Sequence, residues 1–290
     1  MKIIDLHCDT LDKLKDENYS FKENNGHISE KRLIDGEYIA QCFAVYTPPD
    51  MKGKKATEHF KRQYEIFNKE ILGCENIGIS TILTVENGEL LNGGADNIKL
   101  LKDTGVKFFG LTHNGENCLG FPCSAVKEAH LLPLKAFGRE IVELLNSTNI
   151  YVDVSHLNYG GFMDVAKISQ KPFVATHSAS YSLCKHERNL TDEQIKIIGN
   201  SGGIIGVVFY SYFLNGTEKT EICDILRHIE HFVNVGGEDI AALGSDFDGM
   251  SCELEIKNAS EMQKLSDAIS EKFGFSIAEK ICYKNAMRLI

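Results

Sequence analysis

Several features that mark common protein classes are missing from this 290-residue sequence. Lys and Arg number 31 against 41 Asp and Glu, so the net charge is −10, and no Lys/Arg run forms the basic stripe that nucleic acids require. No apolar stretch approaches membrane-spanning length, and no charged segment leads into the apolar run of a signal peptide. We therefore expect no nucleic-acid partner, no membrane association and a cytoplasmic location.

Two absent motifs narrow the chemistry further. The nine cysteines are scattered without a C-x-x-C pair, so we expect free thiols, and the Cys118/Cys123 spacing alone is weak evidence for a metal. The first apolar run is not followed by the G-x-G-x-x-G that announces a nucleotide in open, doubly wound sheets. No Pro-, Gly- or Ser-rich linker divides the chain, which predicts one domain over residues 1–290.

Short apolar runs alternate with helical stretches along the chain. Eight runs are predicted strands, at residues 2–8, 39–46, 78–85, 106–112, 150–155, 173–177, 203–209 and 240–245. The clearest predicted helices cover residues 56–72, 134–147, 191–199, 221–235 and 260–273, with a capping box at Thr191 and a stop at Gly236-Gly237. This α/β alternation predicts a parallel sheet, and eight repeats favour a closed (β/α)8 TIM-type barrel over a doubly wound sheet.

Metal-binding side chains stand at the ends of most of these strands. A barrel brings all its C-terminal strand ends to one rim, where such folds build their sites. The rim would hold four imidazoles and three carboxylates: His7, Asp9, Glu86, His113, His156, His177 and Asp246. With no well-placed thiolate, this set suits zinc or another borderline divalent metal. Two metals need a bridging group, and Glu86 is the natural candidate, although a helix-start carboxylate is its alternative role.

The other histidines fall in loops or predicted helices. Surface or capping roles without chemistry are expected for these six, which are His27, His59, His130, His186, His228 and His231.

Seven motifs, in order along nearly the whole chain, resemble the membrane dipeptidase (renal dipeptidase, M19) family of zinc peptidases, in its bacterial-type, unanchored form. They are Asp5-Leu-His-Cys-Asp-Thr-Leu11, Thr84-Val-Glu-Asn-Gly88, Leu111-Thr-His-Asn114, Asp153-Val-Ser-His156, Ala175-Thr-His-Ser178, Arg188-Asn-Leu-Thr-Asp192 and Gly244-Ser-Asp-Phe-Asp-Gly249. The resemblance implies a metallo-dependent hydrolase barrel of the amidohydrolase-like type that cleaves dipeptides. It also implies a homodimer.

The resemblance assigns metal ligands to matching positions. His7 and Asp9 would bind one zinc ion, His156 and His177 would bind a second, and Glu86 would bridge the two. In the family, a hydroxide held by the metal pair attacks the scissile carbonyl. Paired cations lower the pKa of a bound water, which agrees with that chemistry.

The resemblance assigns three further roles. Asp246 would take a proton and pass it to the leaving amine, and His113 would bind the substrate and stabilise the oxyanion. Arg188 would grip the free carboxylate of a dipeptide with its planar fork. Asp248 matches a flanking position, with a structural role in orienting its loop.

One departure and two alternatives stay open. After His177 the chain has Ser178-Ala-Ser-Tyr181 where many relatives have Asn-Ala-Arg, which leaves side-chain preference and the stereochemistry of the C-terminal residue undetermined. One alternative is an amidohydrolase-like enzyme for N-acyl amino acids, lactams or esters. The other is a non-catalytic metal or ligand carrier, which predicts loss of the proton-transfer group, whereas Asp246 is present.

Overall fold

A nearly closed barrel of parallel strands is the centre of the fold. The computed structural model describes residues 1–16, 19–92 and 94–290, with the side chains of Cys74 and Glu75 outside that description. The barrel strands are β1 (Ile3–Asp5), β2 (Tyr38–Tyr46), β3 (Ser80–Glu86), β4 (Phe108–Gly110), β5 (Tyr151–Asp153), β6 (Ala175–Ser178), β7 (Ile205–Val207) and β9 (Ala241–Leu243). Strands β8 (Lys219–Thr220) and β10 (Glu253–Leu254) pair separately.

The strands follow one another around the barrel in the order β5-β4-β3-β2-β1-β9-β7-β6. A parallel bridge between Asp153 and Val174 joins the two ends of this sheet, with hydrogen bonds from Val154 N to Val174 O (2.8 Å) and from Val174 N to Val152 O (2.9 Å). The predicted (β/α)8 architecture is confirmed, since parallel strands with crossover helices close in this way.

Helices fill the connections between strands. The α-helices are α1 (Thr10–Lys13), α2 (Glu30–Asp35), α3 (Lys54–Ile66), α4 (Asn97–Asp103), α5 (Lys127–His130), α6 (Ala136–Leu145), α7 (Tyr159–Ile168), α8 (Asp192–Asn200), α9 (Ser211–Leu214), α10 (Ile222–Gly236), α11 (Met262–Phe273), α12 (Phe275–Glu279) and α13 (Asn285–Met287). Helix α3 continues into a π turn (Phe67–Ile71) and a 3-10 turn (Leu72–Ile77), and further single turns cover Gly88–Leu91, Ala259–Glu261 and Lys280–Lys284. The predicted capping box forms at the start of α8, where Thr191 and Gln194 cap each other.

Most strands are shorter than the apolar runs predicted. The run at 203–209 pairs only over Ile205–Val207, although the flanking Ile204 and Val208 are fully buried. An apolar run reports burial, and burial extends into the loops at both barrel ends beyond the hydrogen-bonded ladder. In α6, Ile141, Val142 and Leu145 are buried, whereas the apolar Leu144 is 38% exposed.

Two apolar layers hold the barrel together. A large layer packs the sheet against the outer helices, and a smaller one includes Ile4, Phe108 and Val174. Ala286 and Leu289 from the C-terminal segment join the smaller layer, and Asn285 donates to the carbonyls of Glu238 and Ala241 (both 2.9 Å). The C-terminal segment therefore packs against the barrel.

The eight described cysteines are free, in agreement with the prediction, and Cys74 lies outside the described side chains. Cys8 is buried, and its thiol donates to the carbonyl of Cys42. Across the described residues, no helix is long and apolar enough to cross a membrane.

His228 is fully buried, so its predicted surface location is wrong. It lies in the apolar stripe of α10 with Ile225, Ile229 and Phe232, at the i, i+3, i+4 and i+7 spacing of a core-facing helix. Its Nδ1 accepts from Ser180 N (2.9 Å) and its Nε2 donates to the Leu214 carbonyl (2.9 Å), which holds the ring neutral. His59 is also buried, with Nε2 bonded to the Tyr46 carbonyl (2.9 Å).

We expect His228 to make the fold sensitive to mild acid. Burial lowers the pKa of His228 to about 4, against 6.5 for an ordinary histidine. The unfolded chain therefore takes up this proton first as the pH falls from 6.5 toward 4, and the native state loses about 2 kcal/mol from this residue by pH 5. Urea unfolding at pH 7.5 and pH 5 should show a smaller acid loss in His228→Gln than in the wild type. Equal losses in both proteins would contradict this assignment.

Candidate active site

All seven strand-end residues predicted from the sequence meet at one end of the barrel. His7 and Asp9 follow β1, Glu86 ends β3, and His177 lies within β6. His113, His156 and Asp246 follow β4, β5 and β9 in the same way. A cavity of about 430 Å³ opens here, and its lining includes Asp9, Glu86, His113, His156, Arg188 and Asp246.

Glu86 is the hub of the imidazole cluster. Its Oε1 lies 2.8 Å from His156 Nε2 and 3.6 Å from His177 Nε2. The same oxygen lies 3.9 Å from His7 Nε2 and 4.0 Å from His113 Nε2. Four imidazole nitrogens therefore surround one carboxylate, which is the central position that a bridging group requires.

His156 and His177 face each other with their acceptor nitrogens. His156 Nδ1 donates to Asn114 Oδ1 (3.0 Å), and His177 Nδ1 donates to Thr176 Oγ1 (3.0 Å), whose own hydroxyl donates to Asp153 Oδ2 (2.5 Å). Both Nε2 atoms then carry lone pairs, yet they lie 2.9 Å apart. Fixing the tautomer through Nδ1 is how proteins prepare histidines as metal ligands, so a cation fits between these nitrogens.

A second cluster surrounds His7. Its Nε2 lies 3.5 Å from Asp9 Oδ2 and 3.8 Å from Asp246 Oδ1. This nitrogen is buried and makes no hydrogen bond within the described part of the chain. An orphaned buried nitrogen costs free energy unless another partner satisfies it, and a metal ion is such a partner.

The ligand atoms fall into three overlapping groups in which all atoms lie within 4.8 Å of one another. The groups are His7/Asp9/Glu86, Glu86/His156/His177 and His7/His177/Asp246. Glu86 belongs to two of them, one on each side. The nitrogen and carboxylate donors of this set are those that zinc prefers, so the residues fit two borderline divalent cations.

The electrostatics of the cluster also favour added positive charge. Burial lowers the pKa of His7, but the negative charges of Asp9, Glu86 and Asp246 outweigh that effect and raise it to about 10. Burial, together with repulsion from Asp9, raises the pKa of Glu86 well above its usual range. Three carboxylates are thus crowded in a dry site, and a bound cation relieves this repulsion.

The other site histidines are held neutral. Burial, with the positive charge of Arg188 as the second cause, lowers the pKa of His156 well below its usual range and that of His113 to about 4. Burial also lowers the pKa of His177. A neutral imidazole offers one lone pair for a metal and one N–H for a hydrogen bond, so these rings can do either.

The loop after β9 holds Asp246 in an unusual backbone conformation. Asp246 has φ of 64° and Asp248 has φ of 68°, a left-handed region that non-glycine residues rarely adopt. Asp248 stabilises this loop by accepting from Thr10 Oγ1 (2.7 Å) and from the His27 backbone N–H (2.7 Å). The structural role predicted for Asp248 agrees with these contacts.

Arg188 is buried, and across residues 1–16, 19–92 and 94–290 its charge has no partner. The residue is 6% exposed, its three guanidinium nitrogens make no hydrogen bond with those residues, and the group lies 5.3 Å from the Phe213 ring centroid. A buried cation normally has an anionic partner, and this one lines the cavity. The arrangement therefore fits an anionic ligand group, such as a carboxylate bound bidentately.

Sequence reasoning missed several lining residues. Tyr46 ends β2 and packs edge-on against His113 with ring centroids 4.7 Å apart. As a polar side chain at a strand end, it meets the same criterion as the seven residues predicted from the sequence. Asn114 is the last residue of the motif Leu111-Thr-His-Asn114, but nothing in this motif indicated the hydrogen bond to His156. Tyr210 and Phe213 lie after β7 and carry no comparable signal.

The family model of membrane dipeptidases, peptidase family M19, matches residues 69–290. The chain belongs to this family. Because the match covers His113, His156, His177, Arg188 and Asp246, most of the site lies within the shared region.

Similar proteins agree with membership in the M19 family. The structure of dipeptidase AC, an M19 metallopeptidase, superposes with a TM-score of 0.87 at 25% identity, covering 100% of this chain and 97% of the other. A Rhodobacter sphaeroides metallopeptidase bound to a phosphinate mimic of L-Ala-D-Ala gives 0.86 at 24% identity, covering 100% and 98%.

A curated relative covers a smaller part of the chain. An uncharacterised protein of the pqqA 5′ region of Klebsiella pneumoniae is 35% identical over 162 residues, which is 54% of this chain and 60% of that protein. The chain therefore matches less than two thirds of the length of this relative.

Proposed function

We propose that the chain is a binuclear zinc dipeptidase. His7 and Asp9 hold one zinc ion, His156 and His177 hold the other, and Glu86 binds both. The observation that carries the proposal is the convergence of these buried donor atoms beside the unpartnered guanidinium of Arg188. The donor atoms fit cations, and the guanidinium fits a carboxylate. A dipeptide substrate offers a scissile carbonyl to the cations and a free carboxylate to Arg188.

Each residue around the cavity has its own role in hydrolysis. Two zinc ions, when bound, lower the pKa of a water and polarise a carbonyl. His113, which is neutral because its pKa is about 4, donates its N–H to the carbonyl oxygen as negative charge develops there. Arg188 binds the free carboxylate of the C-terminal residue and so fixes the position of the scissile bond.

Asp246 moves the proton. Burial and the neighbouring Asp9 raise the pKa of its carboxyl to about 7, and positive charge bound beside it would lower that value. The ionised carboxylate accepts a proton from the attacking water and then delivers it to the leaving amine. The position of Asp246 Oδ1, 3.8 Å from His7 Nε2, places the carboxyl beside the proposed metal ligands.

The substrate class follows from the size and charge of the cavity. A volume of about 430 Å³ accommodates a dipeptide, and Arg188 selects substrates whose free carboxylate is one residue from the scissile bond. We include dipeptides with a C-terminal D-residue, which the phosphinate mimic bound by the Rhodobacter sphaeroides relative supports.

Dipeptide cleavage by metal-loaded protein tests the function. A panel of L-L, L-D and Gly-containing dipeptides should be hydrolysed, whereas the corresponding N-acetyl amino acids should remain largely intact. The reverse preference would favour the amidohydrolase-like alternative. Hydrolysis of neither class by fully metallated protein would favour the non-catalytic carrier.

Metal content tests the ligand assignment separately. We expect about two zinc ions per chain in the wild type, about one in His7→Ala or His156→Ala, and almost none in the double variant, because each substitution removes a ligand from one site. Elemental analysis after gel filtration gives these numbers, and circular dichroism checks the fold. His130→Ala, which lies outside the cavity, is the control and should retain both ions. Two zinc ions in the double variant would contradict the assignment.

Three further predictions accompany this proposal. Residues 1–290 form one catalytic domain, the protein acts in the cytoplasm, and two copies assemble into a homodimer.

A further inference from the structure

The mouth of the barrel has two sides, and the substrate must extend between them. Arg188 comes from the connection after β6, whereas Asp12 and Lys13 lie in α1 after β1. The two strands are three positions apart along the arc that passes β7 and β9, and five apart along the other arc. With the C-terminal carboxylate on Arg188 and the scissile bond beside Glu86, the N-terminal residue of a dipeptide extends toward α1. This placement rests on the proposed function.

A second cavity lies beside the first on the α1 side. Its volume is about 260 Å³, and its lining includes Lys13, Tyr19, Gly26, His27 and Asp248. Lys13, Asp248 and Met250 line both cavities, so the two spaces adjoin at these residues. A side chain on the N-terminal residue of the substrate therefore has room to enter the second cavity.

One charged group at the junction of the two cavities is the Lys13 ammonium. It forms no ion pair or hydrogen bond with any residue that the structure describes, while the neighbouring Asp12 pairs with Lys15. Asp248, the acidic residue shared by the two cavities, already accepts hydrogen bonds from Thr10 and from the His27 backbone. An exposed lysine by itself does not indicate a ligand. Lys13, however, lines both cavities, and the carboxylate beside it, Asp248, already accepts two hydrogen bonds.

A second donor belongs to the same cavity. His27 Nδ1 accepts from the Asp248 backbone N–H (2.8 Å), so a neutral His27 ring carries its proton on Nε2. Arg32, whose guanidinium donates to the Gly26 carbonyl, adds positive charge behind this wall. The wall therefore presents hydrogen-bond donors and positive charge, which suit a carboxylate more than an ammonium group.

We propose that the second cavity is a subsite for an acidic side chain on the N-terminal residue of the dipeptide, with Lys13 as the residue that recognises it. Glutamate is the best fit, because its longer side chain reaches farther into the adjoining cavity than that of aspartate. The preferred dipeptides are therefore of the Glu-Xaa type, with the C-terminal carboxylate on Arg188 and the side-chain carboxylate on Lys13.

Paired substrates measure this preference directly. L-Glu-L-Ala and L-Gln-L-Ala have almost the same shape and differ in one charge, so the ratio of their kcat/KM values isolates the contribution of that charge. We expect the zinc-loaded wild type to favour Glu-Ala by about fivefold, the effect of a partly exposed ion pair. Lys13→Met should bring the ratio to about one, and Lys13→Glu should shift preference to L-Lys-L-Ala.

Lys31→Met removes the same charge from an exposed ion pair with Asp35, outside both cavities, and should keep the wild-type ratio. A wild-type ratio of one, or a Glu-Ala preference that survives in Lys13→Met, would overturn the subsite. If the wild type cleaved none of these dipeptides with two zinc ions bound, the proposed function would fail instead.

Discussion

Asp246→Asn should reduce dipeptide turnover by about 1,000-fold while the protein keeps both zinc ions. The amide has nearly the shape of the carboxyl but cannot take up and release a proton, and proton transfer by a positioned side chain contributes on the order of 10²–10⁴ to rate. Measuring kcat together with zinc content per chain checks both parts of this expectation.

The zinc content in this experiment distinguishes two roles for Asp246. Its carboxylate also belongs to one of the possible metal-binding groups, together with His7 and His177. Loss of zinc along with activity would make Asp246 a ligand, and unchanged turnover would remove it from the reaction. Asp239→Asn, on an exposed carboxylate that pairs with Lys280, is the matched control and should behave as the wild type.

Arg188→Met should lower kcat/KM for dipeptides by about 100-fold or more. Removing one partner of a buried, charge-assisted pair costs about 2–5 kcal/mol, and the planar guanidinium fork binds a carboxylate through two hydrogen bonds. Arg188→Lys keeps the charge without the fork and should recover only part of the loss. Arg139→Met removes an arginine whose surface ion pair with Asp164 lies outside the cavity, and it should leave kcat/KM unchanged.

A substrate with its carboxylate blocked identifies what Arg188 recognises. The wild type should discriminate strongly between a dipeptide and its C-terminal amide, because the amide leaves the buried guanidinium without an anion. Arg188→Met should treat the two substrates nearly alike. Equal discrimination in the variant and the wild type would mean that another group binds the carboxylate.

Much of the fold could be predicted from the sequence because strand and helix periodicities alternate clearly. The capping box at Thr191 and the amphipathic α10 both formed as predicted. Strand limits were less accurate, since the residues flanking Ile205–Val207 are as apolar and buried as the paired ones. Helix α7 did not stand out because Gly160 and Gly161 interrupt its first turn.

The site residues that could be predicted follow from one rule, namely that the C-terminal strand ends of a barrel meet at one rim. That rule, with the family motifs, named His7, Glu86, His156 and the other ligand candidates. It could not indicate Asn114 or Lys13, whose roles depend on contacts across the barrel mouth. The surface role expected of His228 is wrong because its position in the apolar stripe of α10 outweighs the polarity of its ring.

Zinc titration of the metal-free protein with a dipeptide substrate is the most direct test of the binuclear dipeptidase. We expect hydrolysis to rise with added zinc and to reach its plateau at about two equivalents per chain, because both ligand pairs and the shared Glu86 are needed together. A dipeptide that stays intact when two zinc ions are bound, or full activity at one equivalent, would contradict the account.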